Sequence, residues 1–531
     1  MGQPLGIDLG TTYSVVSTVD SSGLPVVLRN PLGAESTPSV VCFESPTSVL
    51  VGAAAKAAAP VLPDLVVSLV KRQMGTDRLF TLHGTEYTPE AVSALILRAL
   101  VEGHTPADGT PARAVVTVPA YFGIREREAT QEAGILAGLD VRELVSEPLA
   151  AAFNYGLTPF SEEGSVVVYD LGGGTFDATL LTFDGRAAVL GTDGDTELGG
   201  ADWDRRLADH LLERFADAAR VPTDPADDAA FMTDLLLTAE EAKRALSVTS
   251  THEVKLRGFG RTVTLPVTRA DFESMTRDLV DSTLSCVHRL LTTAGAGPVS
   301  RCLLVGGSSR MPMVAAALAA EFRWRVSLHD PDLAVAKGAA LRAAHLAGAT
   351  WVTPEWGTEA VPAPRAPAAS GAEPRRRDWS ATMGSVVPRS FGLLIHDSDD
   401  RAGTRRFVQH VIHRNAPLPV TDGEATVATI LDDQGTVRIE VFEQAGAVPS
   451  AEVADNRRVL DGELSGLPPG LPAGSPIRIV LSLGLDGRLG LTATEPRSGA
   501  ELHLSAYIDG VLDRETRDTT RTGLSRLTVR Q

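Results

Sequence analysis

Two stretches of this chain carry an acid to the end of a strand and then allow no side chains. Residues 165–181 read SVVVYDLGGGTFDATLL, and residues 6–16 read GIDLGTTYSVV. Each runs strand, Asp, Leu, glycine-rich turn, hydroxyl residue and second strand, with Asp8 and Asp170 in the same place. A glycine turn lets successive backbone N–H groups approach an anion with no Cβ in the way. Either hairpin alone also fits an ordinary glycine-tipped turn. Two of them, roughly 160 residues apart with the acid at one offset, predict a duplicated lobe with a cleft between the copies.

In such a cleft Thr11, Thr12 and Thr175 add hydroxyl donors. Each Asp suits the water shell of Mg²⁺, which sheds water reluctantly and favours carboxylates plus phosphate oxygens. A third stretch, RCLLVGGSSRMPMVAAAL, reads as strand, Gly306-Gly307 turn and a helix opened by Pro312. No GxxxxGK[ST] or GxGxxG occurs, so neither a Walker loop nor a dinucleotide fingerprint is supported. What remains is a split phosphate clamp with a separate glycine wall for a nucleoside.

Between Leu5 and about Ala347, β-branched runs alternate with Ala/Leu-rich helical stretches, the pattern of an α/β domain. TPEAVSALILRAL predicts a helix capped by Thr88 with Pro89 in its first turn, and a second helix ends near Gly138. From Thr350 to about Thr382 prolines and alanines dominate without apolar period, which predicts an extended linker. Its PRRR run reads as solvated charge. Beyond Val386, Ile477, Ile479, Leu481, Leu483 and Leu485 alternate strictly before an Asp486-Gly487 turn. That stretch predicts an antiparallel sandwich. The expected divisions are 1–348, 349–385, 386–510 and a polar, irregular tail over 511–531.

A net charge of −18 argues against general nucleic-acid binding. Cys42, Cys286 and Cys302 have no pair spacing, so no disulfide framework or zinc site is expected and a reducing compartment fits. No apolar run reaches membrane-spanning length, no secretion signal opens the chain, and a cytoplasmic, membrane-free protein is expected.

IDLGTTYS, TVPAYF, SEPLAAAFNYGL, VYDLGGGTFD, LGGADWDRRL, EEAKRALS, LLVGGSSRMPMV and DPDLAVAKGAAL together resemble the 70-kDa heat-shock chaperone family, in family order. The resemblance implies an actin-like ATPase domain of duplicated ribonuclease-H-like lobes, using ATP and Mg²⁺. It implies Asp8 and Asp170 around the metal's water shell. Gly10, Thr11, Thr12 and Tyr13 match the first phosphate loop; Gly172, Gly173, Gly174 and Thr175 match the second. Lys71 matches the lysine reaching the transferred phosphate and attacking water, Glu147 the carboxylate placing metal and water, and Asp177 a candidate proton acceptor. Glu240, Lys243 and Ser247 match an adenosine-contacting helix face, with Arg244 and Arg310 bracketing the base and Gly306, Gly307, Ser308 and Asp332 completing the pocket.

The C-terminal part resembles the family's peptide-binding sandwich more faintly, with Val408, Ile430 and Val437 at channel-lining positions; plain sandwich core fits these three as well. Pro119 and Arg127 match an interdomain relay. Implied partners are unfolded or extended peptide segments, a J-domain co-chaperone and a nucleotide exchange factor. The long Pro/Ala-rich linker departs from the family and counts against interdomain docking and J-domain stimulation, and no helical lid is expected. The function expected is ATP-driven binding of extended apolar peptides. The alternative is a nucleotide-dependent module for one dedicated folded partner; a sugar kinase on the same fold is disfavoured by the motif order.

Overall fold

Valine- and isoleucine-rich strands need both faces covered, and the chain provides the cover by building the same sheet twice. The structure, a computed structural model, describes residues 3–105, 109–155, 164–183, 187–221, 223–349, 351, 386–397, 405–446, 449–484, 487–506 and 514–531. In the first lobe the central strand Leu5–Asp8 pairs antiparallel with Tyr13–Val19, which pairs with Pro25–Val27. On its other side it pairs parallel with Ala112–Val118, and that strand with Leu139–Ser146. The second lobe repeats the pattern: Gly164–Leu171 lies antiparallel to Phe176–Phe183, followed by Ala187–Asp195. Its parallel neighbours are Val299–Val305 and then Arg325–Leu328. Strand order and pairing sense agree, so the predicted duplication holds at the level of topology.

Two helices, Glu147–Asn154 and Ala334–Leu346, pack between the sheets. Their crossing is close because small residues face each other there. A Cβ on Gly338 would lie 1.7 Å from the Ala150 carbonyl oxygen, and one on Gly6 would lie 2.0 Å from the Ala340 amide nitrogen. Each lobe has its own buried core, and a third apolar cluster joins the two lobes through Val115, Ala151, Val168, Leu303 and Ala339.

Local signals hold where they were strongest. The Thr88 hydroxyl accepts from the Ala91 amide and caps the helix Pro89–Leu100. Residues 386–506 form two four-stranded antiparallel sheets. One orders Arg406–Ile412, Phe391–His396, Thr436–Gln444 and Asn456–Ser465. The other orders Val420–Ala428, Pro476–Leu483, Leu489–Thr494 and Glu501–Ala506. Ile477, Ile479, Leu481 and Leu483 all point into the core between them. Leu485 and the linker's PRRR lie outside the described residues.

Two expectations are corrected. The tail is not irregular: Arg514–Ser525 is helical, and Thr528–Arg530 pairs parallel with Ser48–Val51 in the first lobe. Its polarity misled because only Leu524 and Leu527 enter the core, while the rest of the helix is polar. Nor does the unusual linker leave the sandwich free. Ile124 of the first lobe packs into the sandwich core, and Arg414 donates to the Thr192 carbonyl of the second lobe at 2.6 Å. Among the described residues no helix is long and apolar enough to cross a membrane.

Candidate active site

Four acids and one lysine converge where the two central strands end. Asp8 ends its strand opposite Val15, whereas Asp170 stands opposite Asp177 in the equivalent pair. The duplication is therefore asymmetric at the floor of the cleft, with a third carboxylate on the second lobe only. Lys71 comes from the short turn Val70–Gln73, which Leu69 enters in the left-handed region at φ 55°. That conformation is uncommon for leucine, and it precedes the side chain that reaches the floor. The Lys71 ammonium donates to Glu147 Oε1 at 2.5 Å with both side chains buried. Glu147 is the first residue of its helix, where a carboxylate also faces the positive end of the helix dipole.

The carboxylates crowd one another. Burial and the Glu147 charge raise Asp8 to about 7, against the pull of Lys71 and the Thr117 hydroxyl, which donates at 2.9 Å. Burial and the Glu147 and Asp8 charges push Asp170 well above the usual carboxylate range, and burial with Glu147 does the same for Asp177. For Lys71, burial pulls downward, but Glu147, Asp8 and Asp170 outweigh it and hold the group charged. Asp177 Oδ1 is buried with no hydrogen-bond partner among the described residues. A floor this rich in oxygen and short of cations fits a hard divalent ion. No cluster of three or more acids, histidines or cysteines among the described residues could ligate one directly.

The two glycine turns meet face to face. A Cβ on Gly173 would fall 1.9 Å from Thr12 Oγ1, and one on Gly174 would fall 2.2 Å from Thr11 Cγ2. Gly10 admits no Cβ either, since the Tyr13 carbonyl oxygen would be 2.0 Å away. The Gly172 amide and the Thr175 carbonyl close the second turn at 3.0 Å. Arg72, next to Lys71, holds the lobes in register: it donates to the Gly174 carbonyl at 2.7 Å, the Glu197 carbonyl at 3.0 Å and Asp202 at 2.7 Å.

The mouth of the cleft is latched. Tyr13, expected in the phosphate loop, turns its hydroxyl to Glu240 of the second lobe at 3.0 Å, and Lys56 bonds both. Arg244 sits over the Tyr13 ring at 5.7 Å. Burial and Lys56 act oppositely on Glu240, and Lys56 wins, holding it below its usual range. The remaining nucleoside residues gather on the second lobe. Lys243 donates to the Gly200 carbonyl and to Asp204, each at 2.8 Å. Ser308 lies so close that its hydroxyl would touch a Cβ on Gly200. Arg310 pairs with Asp332 at 2.6 Å, beside Gly306 and Gly307, and the Ser247 hydroxyl turns back to the Lys243 carbonyl at 3.1 Å. The predicted face thus divides: Glu240 bonds the opposite lobe, Lys243 bonds Gly200 and Asp204, and Ser247 bonds its own helix.

The sandwich reaches this site through the segment after Pro119. The helix Ile124–Leu136 has Gly123 at its N-cap and no capping side chain of its own. Glu443, from the sandwich, takes that place by accepting from the Ile124 amide at 3.2 Å. A Cβ on Gly123 would lie 2.5 Å from the same carboxylate oxygen, so glycine is what admits it. Arg389 donates to the Tyr121 carbonyl at 3.2 Å and pairs with Glu126 at 3.2 Å, and Arg457 approaches Glu126 at 3.5 Å. Arg127 turns to the Phe122 carbonyl at 3.2 Å, and the Pro119 carbonyl accepts from the Phe122 amide. Burial and the Asp177 charge raise Tyr121 well above its usual range, which places this ring against the acid floor. In the sandwich, Val408 and Val437 are buried, whereas Ile430 stands 63 % exposed beside an equally exposed Leu431.

Sequence reasoning did not single out Lys56, Arg72, Tyr121, Asp202, Arg389 or Glu443. Arg72 had a signal in its place beside Lys71, and Tyr121 and Asp202 in the motifs TVPAYF and LGGADWDRRL.

Comparison with known proteins agrees with this architecture. The family model described as Hsp70 protein matches residues 4–81 and 76–355. The "Chaperone protein DnaK" of Thermotoga neapolitana is 35% identical over 510 residues, covering 94% of this chain and 79% of that protein. The DnaK proteins of Thermosipho melanesiensis and Thermosipho africanus are 35% and 34% identical over 509 residues, covering 94% of this chain and 79% and 78% of theirs. With the twin lobes, the acid floor and these matches in hand, the chain belongs to the Hsp70 family of ATP-hydrolysing chaperones.

Proposed function

We propose that this protein hydrolyses ATP in the interlobe cleft and uses the cycle to bind and release extended apolar peptide segments at its sandwich. The observation that carries the reading is the buried Lys71–Glu147 pair set against Asp8, Asp170 and Asp177. Bound Mg²⁺ and triphosphate supply the electrophilic phosphorus and neutralise its charge, so the protein's task is positioning and electrostatics. Asp8 and Asp170 would hold the ion. Amides of Gly10, Thr11 and Thr12, with those of Gly172, Gly173, Gly174 and Thr175, grip phosphate oxygens. Lys71 orients the attacking water and the transferred phosphate, steered by Glu147. Asp177, whose Oδ1 is unpartnered and whose proton affinity is raised, accepts the water's proton. Lys243, Arg244, Ser247, Ser308, Arg310, Asp332, Gly306 and Gly307 hold the nucleoside, and Glu240 latches the lobes over it.

The coupling half is supported by Glu443 capping a helix whose other neighbours lead to Tyr121 and the floor. Pro119 and Arg127 act as the relay. Exposed Ile430 and Leu431 offer apolar contact to an extended peptide, over a channel walled by Val408 and Val437. We place the protein in a reducing cytoplasm, in keeping with three unpaired buried cysteines, with a J-domain protein and an exchange factor as partner classes.

The test is ATP turnover with and without an unfolded, apolar peptide. Stimulation of several-fold is expected. Turnover indifferent to any peptide would sink the coupling; absence of turnover would sink the assignment of the cleft residues.

A further inference from the structure

The residues after the sandwich do not stay with it. The helix Arg514–Ser525 lies against helices Pro89–Leu100 and Ile124–Leu136 of the first lobe. Leu524 and Leu527 are 4 % exposed each and belong to that lobe's core. Arg98 donates to their two carbonyls, each at 2.9 Å. Arg517 pairs at 2.6 Å with Glu132, whose side chain is 4 % exposed. The strand Thr528–Arg530 then extends the lobe's outer sheet by pairing Val529 with Val49. Arg530 bonds Glu44, and Gln531 bonds the Ala99 carbonyl.

We propose that residues 514–531 are a strap, and that this face of the first lobe is its docking surface, tying the far end of the sandwich to the ATPase domain. Between Trp351 and Val386 lie 34 residues, whose contour, at ~3.4 Å each, is on the order of 120 Å. A contour of that length sets no close limit on the distance between the sandwich and the lobes. Between Ala506 and Arg514 lie only seven residues, which span under about 30 Å fully extended. A second, short tie of this kind keeps the sandwich at high effective concentration next to its docking site. It also holds the helix Ile124–Leu136 twice, at its start by Glu443 and further along by Arg517. The sandwich therefore stays near the first lobe in every nucleotide state. This does not depend on what the sandwich binds.

The test cuts the tie and leaves the strap intact. A protease-cleavable sequence replaces residues 507–513 of the full chain, and spin labels are placed at Thr85→Cys and Ser465→Cys. Both positions are exposed, and Cys42, Cys286 and Cys302 are buried and out of reach of labelling. Pulsed dipolar spectroscopy reads the distance distribution with ADP and with ATP, before and after cleavage. A narrow distribution in both states, broadening at least twofold with ADP once cut, is expected. Identical distributions before and after cutting would overturn the proposal, as would a distribution already broad in the uncut chain. A Leu524→Asp/Leu527→Asp variant that folds should behave like the cut chain; one that behaves like the uncut chain would overturn it too.

Discussion

Lys71 and Glu147 stand 76 residues apart in the chain and 2.5 Å apart in space, buried together at the junction of the two lobes. Removing one partner of a buried ion pair leaves the other uncompensated. Here the stranded charge would be Glu147, next to Asp8, Asp170 and Asp177. Lys71→Ala should therefore lose hydrolysis by about 10²–10³-fold, the scale of one electrostatic contact in a closed site. ATP binding should change only a few-fold. Single-turnover hydrolysis beside equilibrium titration measures both, and unimpaired hydrolysis would remove Lys71 from the mechanism.

Glu240 receives Tyr13 and Lys56 from the opposite lobe. Hydrogen bonds to a charged group contribute about 1.5–3 kcal/mol. Glu240→Ala should thus speed nucleotide release by roughly tenfold or more, read by stopped-flow with a fluorescent ADP analogue. An unaltered release rate would mean that closure does not run through this latch.

Glu443 gives the domain contact a pH dependence. Burial, opposed by Arg389 and helped by Glu126, raises its proton affinity to about 7, with Arg457 also nearby and the Ile124 amide on one oxygen. Its second oxygen has no hydrogen-bond partner among the described residues. When the domains part, the group returns toward its ordinary value of about 4.3. The docked state then holds the extra proton between those values, so this group's contribution to docking is full below about pH 4.3, falls as pH rises and is lost above about pH 7. Glu443→Gln should flatten this dependence, and Gly123→Ala should weaken docking at every pH by pushing the carboxylate away. Label distances across a pH series check both; a slope retained in Glu443→Gln would assign it to other groups.

Gly338 faces the Ala150 carbonyl at a distance no Cβ can share. Gly338→Val would force apart two helices packed between the lobes, an overpacking that typically costs about 1–3 kcal/mol. A lowered Tm is expected with the sandwich and its docking contacts unchanged in sequence. An unshifted melting curve would show that the crossing can relax freely.

The twin hairpins, the equivalence of Asp8 and Asp170, the Thr88 cap and the alternation through Ile477–Leu483 were legible because each rests on neighbours a few residues apart. The resemblance directed attention to Lys71 and Glu147, which the structure pairs in a buried ion pair. Polarity misdirected at the tail, whose two buried leucines were outnumbered by polar neighbours, and no local signal showed that the Tyr13 side chain crosses to the other lobe.

By itself, then, the sequence determined that a duplicated α/β pair carries matched acid-and-glycine turns and that a sandwich follows. Tertiary structure alone decided that Tyr13 meets Glu240 across 227 residues, that Glu443 caps a helix 319 residues away, and that Arg517 reaches back to Glu132 across 385. Periodicity and turn chemistry report only local backbone preference. A buried charge, by contrast, takes its partner from whichever surface the folded core brings within hydrogen-bond reach, and no local pattern encodes that surface.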